Sequence, residues 1–451
     1  MITTIRRLIT LILLITAPLW ISSLLWQIKP TLPLKLSLVD YTVPYDNYAE
    51  HSASVWAFNH LKLKPPHLNK IKDVLNSSTT RQDKIWHNQT AYVGPEPFKP
   101  YIQKRLSQTY PLSSIQRSKT TPFDLVYVAD TYGVYRDDFV TKVEQDGQMI
   151  EISSSTDPKL LKTLFDQGKI DSHMDFSRLI FGGLSTEDIE VLELHTDKGG
   201  DVFFEFNAFC DPTSPIVRQK AEEIVGVHWT GWSGRFLPDP YDPNDAPHWL
   251  KRLYQKQFPN KELPKVPSLL LVHRDGRIFL VESDEDVSSI LPTLHVREKY
   301  RKRFPMANTP YYYFWFAIMT PDKVSNVQVL ADIHLHAPKG QKNIYELLNL
   351  PTRIPLLTER VVGRSHRYHF AIDGSDIREN LGSYPYAGLA FLNSLSPRNR
   401  GESVSQRQVF WQFYLPMLKT ILWERSQDRY PNFPPPLGSD LIDFISHFVG
   451  K

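Results

Sequence analysis

The stretch Phe123 to Asp130, FDLVYVAD, constrains the fold more than any other segment of the chain. It is apolar without alternation, and a strand of that kind has both faces covered, as a parallel strand inside a layered α/β sheet does. Its last residue is a carboxylate. The pattern recurs in LKLSLVDY (Leu34 to Tyr41), whose apolar run stops at Asp40, and in DVFFEFN (Asp201 to Asn207), which carries Glu205 and Asn207 at its far end. Ala49 to Leu63 has the spacing of a helix packed on the first strand. In LSTEDIEVLELHTDKGG, Ser185 or Thr186 caps a helix with Ile189, Leu192 and His195 inward, closed by Gly199-Gly200. Ser214 to Val225 reads as a second amphipathic helix with Ile216, Val217, Ala221 and Ile224 inward. Strands alternating with helices predict a three-layer α/β domain on a parallel sheet.

The texture changes after Val266. Ser268 to Val272 and Ile278 to Val281 flank Asp275-Gly276 and predict a hairpin. Pro310 to Ile318, Val327 to Ala337 and Tyr368 to Ile372 predict further strands. Val409 to Arg425 predicts a helix kinked or split at Pro416. The expected organisation is a linker-bearing anchor over 1–33, an α/β domain over 34–265 with an irregular excursion at 64–121, and a β-rich segment with terminal helices over 266–451.

Leu8 to Trp26, LITLILLITAPLWISSLLW, is uncharged and close to the roughly 20 residues that span a hydrocarbon core. Arg6 and Arg7 precede it, so the positive-inside bias predicts a single-pass membrane anchor with an extracytoplasmic body. A cleaved signal peptide is the competing reading, although no small-x-small site follows the run. The membrane, through residues 8–26, is therefore an expected partner. With 52 basic against 49 acidic side chains, a formal net charge of +3 excludes a broad nucleic-acid footprint. The single Cys210 excludes a disulfide framework and a multi-thiolate zinc site.

Taken in order, the strand ending at Asp130, the run GGLSTEDIEVLELHTDKGGDVFFEFN and the helix ending EEIVGVHWTGWSGR resemble the class I glutamine amidotransferase-like superfamily, over roughly residues 34 to 235. The likeness is nearest to its non-amidotransferase, carbohydrate-associated members. The resemblance implies a flavodoxin-like, doubly wound parallel sheet. It does not carry over glutamine hydrolysis. The family's nucleophile sits at a Gly-x-Cys-x-Gly elbow, whereas Cys210 lies in NAFCDP without those glycines, and no His-x-Glu pair follows to activate it. Cys210 reads as a small buried side chain.

In an open parallel sheet, ligands bind beyond the carboxyl ends of the strands. Asp40, Asp130, Glu205 and Asn207 all fall there, and Glu205 is the sharpest because it interrupts an aromatic strand where a charge is paired or functional. Two carboxylates across a crevice suit acid/base hydrolysis of a glycosidic or similar bond. The competing reading is a carboxylate satisfied by loop amides or by Arg235. Trp229, Trp232 and Arg235 in HWTGWSGR, and Tyr132 in DTYGVY, offer flat faces and a guanidinium of the kind that contact sugars. Aromatic loop packing explains the same residues.

Asp332, His334 and His336 alternate along one strand face. A solvated face explains them more simply than a metal, and no metal or other cofactor is expected. The basic run Arg297 to Arg303 suits an anionic headgroup or acidic glycan, or a solvated loop. Asn76 and Asn88 match the glycosylation pattern. The function expected is binding of an envelope or extracellular glycan in an accessory role. The alternatives are a glycan-directed hydrolase using Glu205 with Asp40 or Asp130, and a structural component of a membrane assembly.

Overall fold

In the computed structural model the described residues are 2–42, 51–63, 91–93, 123–135, 141–145, 147–152, 160, 163–164, 166–167, 179–242, 246–247, 249–284, 286–306, 310–341, 343–377, 381–382, 386 and 406–433. Asn76, Asn88 and most of the 64–121 excursion lie outside them. The first half of the chain runs α1 (Ile2–Ile28), β1 (Leu36–Asp40), α2 (Ser52–His60), β2 (Ala91–Val93), β3 (Leu125–Asp130), β4 (Val134–Tyr135), β5 (Thr141–Gln145), β6 (Gln148–Ile152), β7 (Leu179–Phe181), α3 (Thr186–Asp197), β8 (Asp201–Glu205) and α4 (Pro215–Val225). The second runs β9 (Val227–Leu237), α5 (Leu250–Gln257), β10 (Ser268–His273), β11 (Ile278–Glu282), β12 (Thr293–Val296), β13 (Phe316–Pro321), β14 (Val327–His334), α6 (Ile344–Leu347), β15 (Arg353–Val362), β16 (Ser365–Phe370) and α7 (Leu415–Arg429).

An eight-stranded sheet in the order β12-β14-β15-β16-β8-β3-β1-β2 organises the molecule. The expected strands β1, β3 and β8 are buried at every position, and they pair parallel with one another. The sheet as a whole is mixed, which corrects the doubly wound parallel arrangement. β16 joins β8 in parallel, but the chain reverses at Gly363, whose φ of 59° is accessible to glycine at little cost, so β15, β14 and β12 continue antiparallel. An unbroken apolar run reports that both faces are covered and says nothing about the direction of the neighbour. A four-stranded antiparallel sheet, β11-β10-β9-β13, holds the expected Asp275-Gly276 hairpin.

The helices form where the caps predicted. Ser185 and Asp188 exchange side-chain and backbone hydrogen bonds in a capping box, and Ser214 caps α4 with Pro215 in its first turn. The buried stripe of α4 is Val217, Ala221 and Ile224, while Ile216, expected inward, is 76% exposed because it sits about 100° round the helix from Val217. His195 is inward, its Nε2–H donating to the Asp201 carbonyl at 2.9 Å, and a Cβ on Gly200 would lie 2.2 Å from its ring. Pro416 does not split the last helix. The helical run is continuous from Arg407 to Arg429, and the irregularity is a π-helical turn, Phe410–Tyr414, just before Pro416, whose missing amide cannot continue the regular ladder.

Leu8 to Trp26 lies in α1, yet among the described residues no helix is long and apolar enough to cross a membrane. The single-pass anchor, the membrane partnership through residues 8–26 and the extracytoplasmic placement drawn from it are corrected accordingly. The last turns of α1 are docked on the body. Ser22 is buried, Trp26 Nε1 donates to the His60 carbonyl at 3.0 Å, and Lys62 lies 4.5 Å over the Trp26 ring while capping the carbonyls of Gln27 and Lys29.

Candidate functional site

One face of the parallel strands is an aromatic ladder. Tyr127, Phe203 and Tyr368 are register partners on β3, β8 and β16, with the Tyr127 and Phe203 rings stacked at 4.7 Å and 6°. Two residues further along β8, Glu205 points to the same side and is wholly buried. Tyr127 donates to its Oε2, the hydroxyl of Tyr414 approaches the same oxygen at 3.3 Å, and the Gly374 amide donates to Oε1 at 2.6 Å. Burial outweighs these bonds and those from Ser375, lifting the carboxyl to about 7. Phe206, the next residue, has φ of 40°, a sparsely populated conformation at which the chain leaves the strand.

A one-residue bulge sets the second part of the site. Along β1 and β3 the register runs Leu38 to Tyr127 and Val39 to Val128, then skips Ala129 and places Asp130 opposite Asp40. Bulges re-aim side chains at strand ends, and this one brings two carboxyls into register on neighbouring strands, about 4.8 Å apart at their Cα atoms. Asp40 accepts the Thr42 amide at 2.9 Å and is in direct contact with His51 Nδ1. Asp130 accepts the Tyr132 amide at 2.7 Å. Burial, with Asp40 adding to it, drives Asp130 up to about 8 against the hydrogen bonds from Tyr132 and Thr131.

Two further carboxyls close the group. Asp373 and Asp376 follow β16, and the Asp376 amide donates to Asp373 at 3.1 Å. Burial first, then the neighbouring Asp376, Asp130 and Glu205, hold Asp373 well above the usual carboxylate range. The cluster therefore contains neutral carboxylic acids, which donate hydrogen bonds, beside groups that accept them. All its members are less than a tenth exposed. Tyr132, whose amide holds Asp130, is 44% exposed, with its ring 4.9 Å from that of Tyr135.

The remaining sequence candidates lie as follows. Asn207 is buried, donating to the Asp211 carbonyl at 3.1 Å, and its own carbonyl accepts from Thr131 beside Asp130. Trp229, Trp232 and Arg235 belong to strand β9 of the second sheet. Trp229 Nε1 donates to the Trp232 carbonyl, Trp232 packs on His273 and Phe279, and Arg235 lies 4.6 Å over Phe314. None of these contacts reaches the carboxyl cluster. Cys210 is buried and its thiol is pushed up by burial, away from the reactive thiolate. Asp332 is held by a bidentate fork from Arg297 at 2.6 and 2.7 Å, while His334 stacks on His295 at 3.9 Å. Among the described residues no group of His, Cys, Asp or Glu has the geometry to hold a metal ion.

The sequence reading missed His51, Tyr127, Tyr414, Asp373 and Asp376. Asp373 carried a usable signal, because it follows the predicted strand Tyr368 to Ile372 as Asp130 follows its own. Tyr414 carried none, since its place depends on where the last helix docks.

Comparison with known proteins adds little. No family model matches the chain, and no curated protein does, so the amidotransferase-like resemblance finds no support there. One solved structure that is similar is a carbohydrate deacetylase, Agd3, at a TM-score of 0.31 and 9% identity. The alignment covers 76% of this chain and 30% of that one. A superposition that loose assigns neither the fold nor any residue.

Proposed function

We propose that the protein is a glycan-directed hydrolase whose acid and base are Asp130 and Asp40, at the carboxyl ends of β3 and β1. The observation that carries the reading is the bulge that sets these carboxyls opposite one another. Asp40 accepts the Thr42 amide and contacts His51 Nδ1, while burial, with Asp40 adding to it, pushes Asp130 up to about 8. In the reaction Asp130 gives its proton to the leaving oxygen as the C–O bond breaks. A water, losing its proton to Asp40, supplies the new C–O bond. His51 orients Asp40. Glu205, enclosed by Tyr127, Tyr414 and the Gly374 amide, supports Asp130 from behind instead of touching the ligand. Tyr132 supplies an exposed ring at the approach, suited to stacking on a sugar face.

A second reading, binding without turnover, is favoured by the deep burial of all three carboxyls. The two separate on a glycan-binding measurement with Tyr132→Ala and Asp130→Asn. The hydrolase predicts that Tyr132→Ala weakens binding while Asp130→Asn leaves it near the parent value. If the protein only binds, Asp130→Asn weakens binding as well, because it removes a contact and no chemistry.

A further inference from the structure

The opposite end of the same sheet carries a second polar constellation that the proposed hydrolase does not use. Asp201 opens β8 and Glu205 ends it, so the two ends stand about 13 Å apart. At the Asp201 end, a pocket of about 410 Å³ lies between the β15–β16 hairpin and α7, lined by Arg303, Gln328, Glu359, His366, Glu424 and Gln427 among others. That volume falls within the ~300–1,000 Å³ range of small-molecule sites.

The charges in the pocket are matched internally. Arg303 forks onto Glu424 at 3.0 and 2.7 Å and onto Glu359, while Arg425 binds Asp201 at 3.1 Å and Asp428 at 2.6 Å. Neither guanidinium is left over for an anion. Glu359, buried and gripped by Arg303, also engages His366 Nδ1 at 2.8 Å, and the His366 amide donates to Asp201 at 2.8 Å. A carboxylate on Nδ1 fixes the ring's orientation and tautomer and leaves Nε2 for another partner. Among the described residues Nε2 has none, and neither do the side-chain amides of Gln427 and, on its nitrogen, Gln328, whose oxygen accepts from Tyr300 at 2.7 Å. An ion-pair network that served only as a staple would have no need of an oriented imidazole and two amides facing one cavity.

The geometry points to a second ligand site, for a neutral polyhydroxylated molecule such as a sugar, anchored on His366 Nε2 and the amides of Gln427 and Gln328. A hydroxyl both donates and accepts, so it serves an imidazole nitrogen, an amide and the outer oxygens of Glu424 and Asp428 without needing a net charge. Val361, 44% exposed, gives the pocket an apolar side. This site is independent of the Asp40–Asp130 reading.

The test is a titration of the full chain, labelled at histidine Cε1, with glucose, N-acetylglucosamine and their β-1,4-linked dimers, followed by NMR. The His366 signal is assigned by its loss in His366→Ala. The site predicts a saturable shift of that signal by at least one of these sugars, and about tenfold weaker binding, ~1.4 kcal/mol, in Gln427→Ala. Gln427→Ala tests the site even if His366→Ala does not fold. Asp130→Asn should leave this binding unchanged, so failure here and failure of the hydrolase reading are told apart. No shift with any of the four sugars, a shift produced only by glucose 6-phosphate or glucosamine, or undiminished binding in Gln427→Ala would each overturn it.

Discussion

Asp40 and Asp130 face each other only because β3 carries one residue more than β1 at its carboxyl end: with Ala129 skipped, the register that pairs Val39 with Val128 pairs Asp40 with Asp130. Without the bulge Asp40 would stand opposite an alanine. The two residues are separated by a long connection, yet the acid and base of the proposed reaction are set by a local irregularity of one strand pair.

The first prediction concerns the pH dependence of stability. Asp130 is raised to about 8 in the folded protein, against about 3.9 unfolded. Between these values the folded state holds the extra proton, so stability falls as pH rises from about 4 to 8. Asp130→Asn mimics the protonated acid and removes this residue's share of the dependence, leaving the shares of Glu205 and Asp373 in place. The variant should be near the parent in stability at pH 4 and more stable at pH 8, by ~2 kcal/mol or more. Denaturant unfolding of both proteins at the two pH values checks this, and a difference that is constant with pH would contradict it.

Glu205 is predicted to tolerate glutamine far better than alanine. Tyr127 and Tyr414 bond each other at 2.7 Å, so Glu205→Ala leaves the Gly374 amide and one of the two hydroxyls without an acceptor in a closed interior. One unsatisfied buried group costs ~1–3 kcal/mol, and two of them place the variant at ~3 kcal/mol or more. Glu205→Gln keeps an oxygen for Gly374 and should cost less than about half as much, read from unfolding midpoints. Gly374→Ala acts on the same contact from the other side, because its Cβ would lie 2.6 Å from the Tyr414 ring. It should cost ~1–3 kcal/mol through overpacking.

At the other end of β8, Asp201 is wholly buried and held by Arg425 and Arg429. Arg425 itself is 4% exposed. Removing one partner of a buried pair typically costs ~3–5 kcal/mol, because the remaining charge is left uncompensated. Here Arg429 still binds Asp201, so Arg425→Met is expected at the low end of that range. Replacing both partners, as Asp201→Asn with Arg425→Met, should cost less than the sum of the single changes. A strictly additive double-mutant cycle would refute the coupling.

Cys210→Ser should leave turnover and ligand binding unchanged, since nothing in the structure activates the thiol. Native Cys210 should resist a thiol reagent at neutral pH and react only on unfolding. Rapid labelling of the folded protein would show an exposed or activated thiolate.

The part of the fold that sequence made legible is the part governed by local rules. Ser185 and Ser214 cap helices as their types predict, and the fully apolar runs ending at Asp40, Asp130 and Glu205 are buried parallel strands. The bias of strand ends toward ligand sites was enough to name three of the cluster's carboxyls. What failed depends on long-range packing. Nothing in Ser365 to Phe370 announces that it lies beside β8, and this placement makes the sheet mixed. The docking of Trp26 on His60 is likewise invisible in an apolar run. Trp229, Trp232 and Arg235 have the composition of a sugar-contacting loop but fold as a strand, because β10 and β13 pair with β9 on either side.

The central claim is that Asp130 delivers a proton to a leaving group while Asp40 accepts one from water. Its most direct test is the release of new reducing ends from a panel of neutral polysaccharides by the parent protein, Asp130→Asn and Asp40→Asn, with binding measured on the same samples. The account predicts release by the parent from at least one polysaccharide, and a loss of about 10²-fold or more in each variant with binding retained. Parent-level release by Asp130→Asn, or no release by the parent from any polysaccharide that it binds, would contradict it.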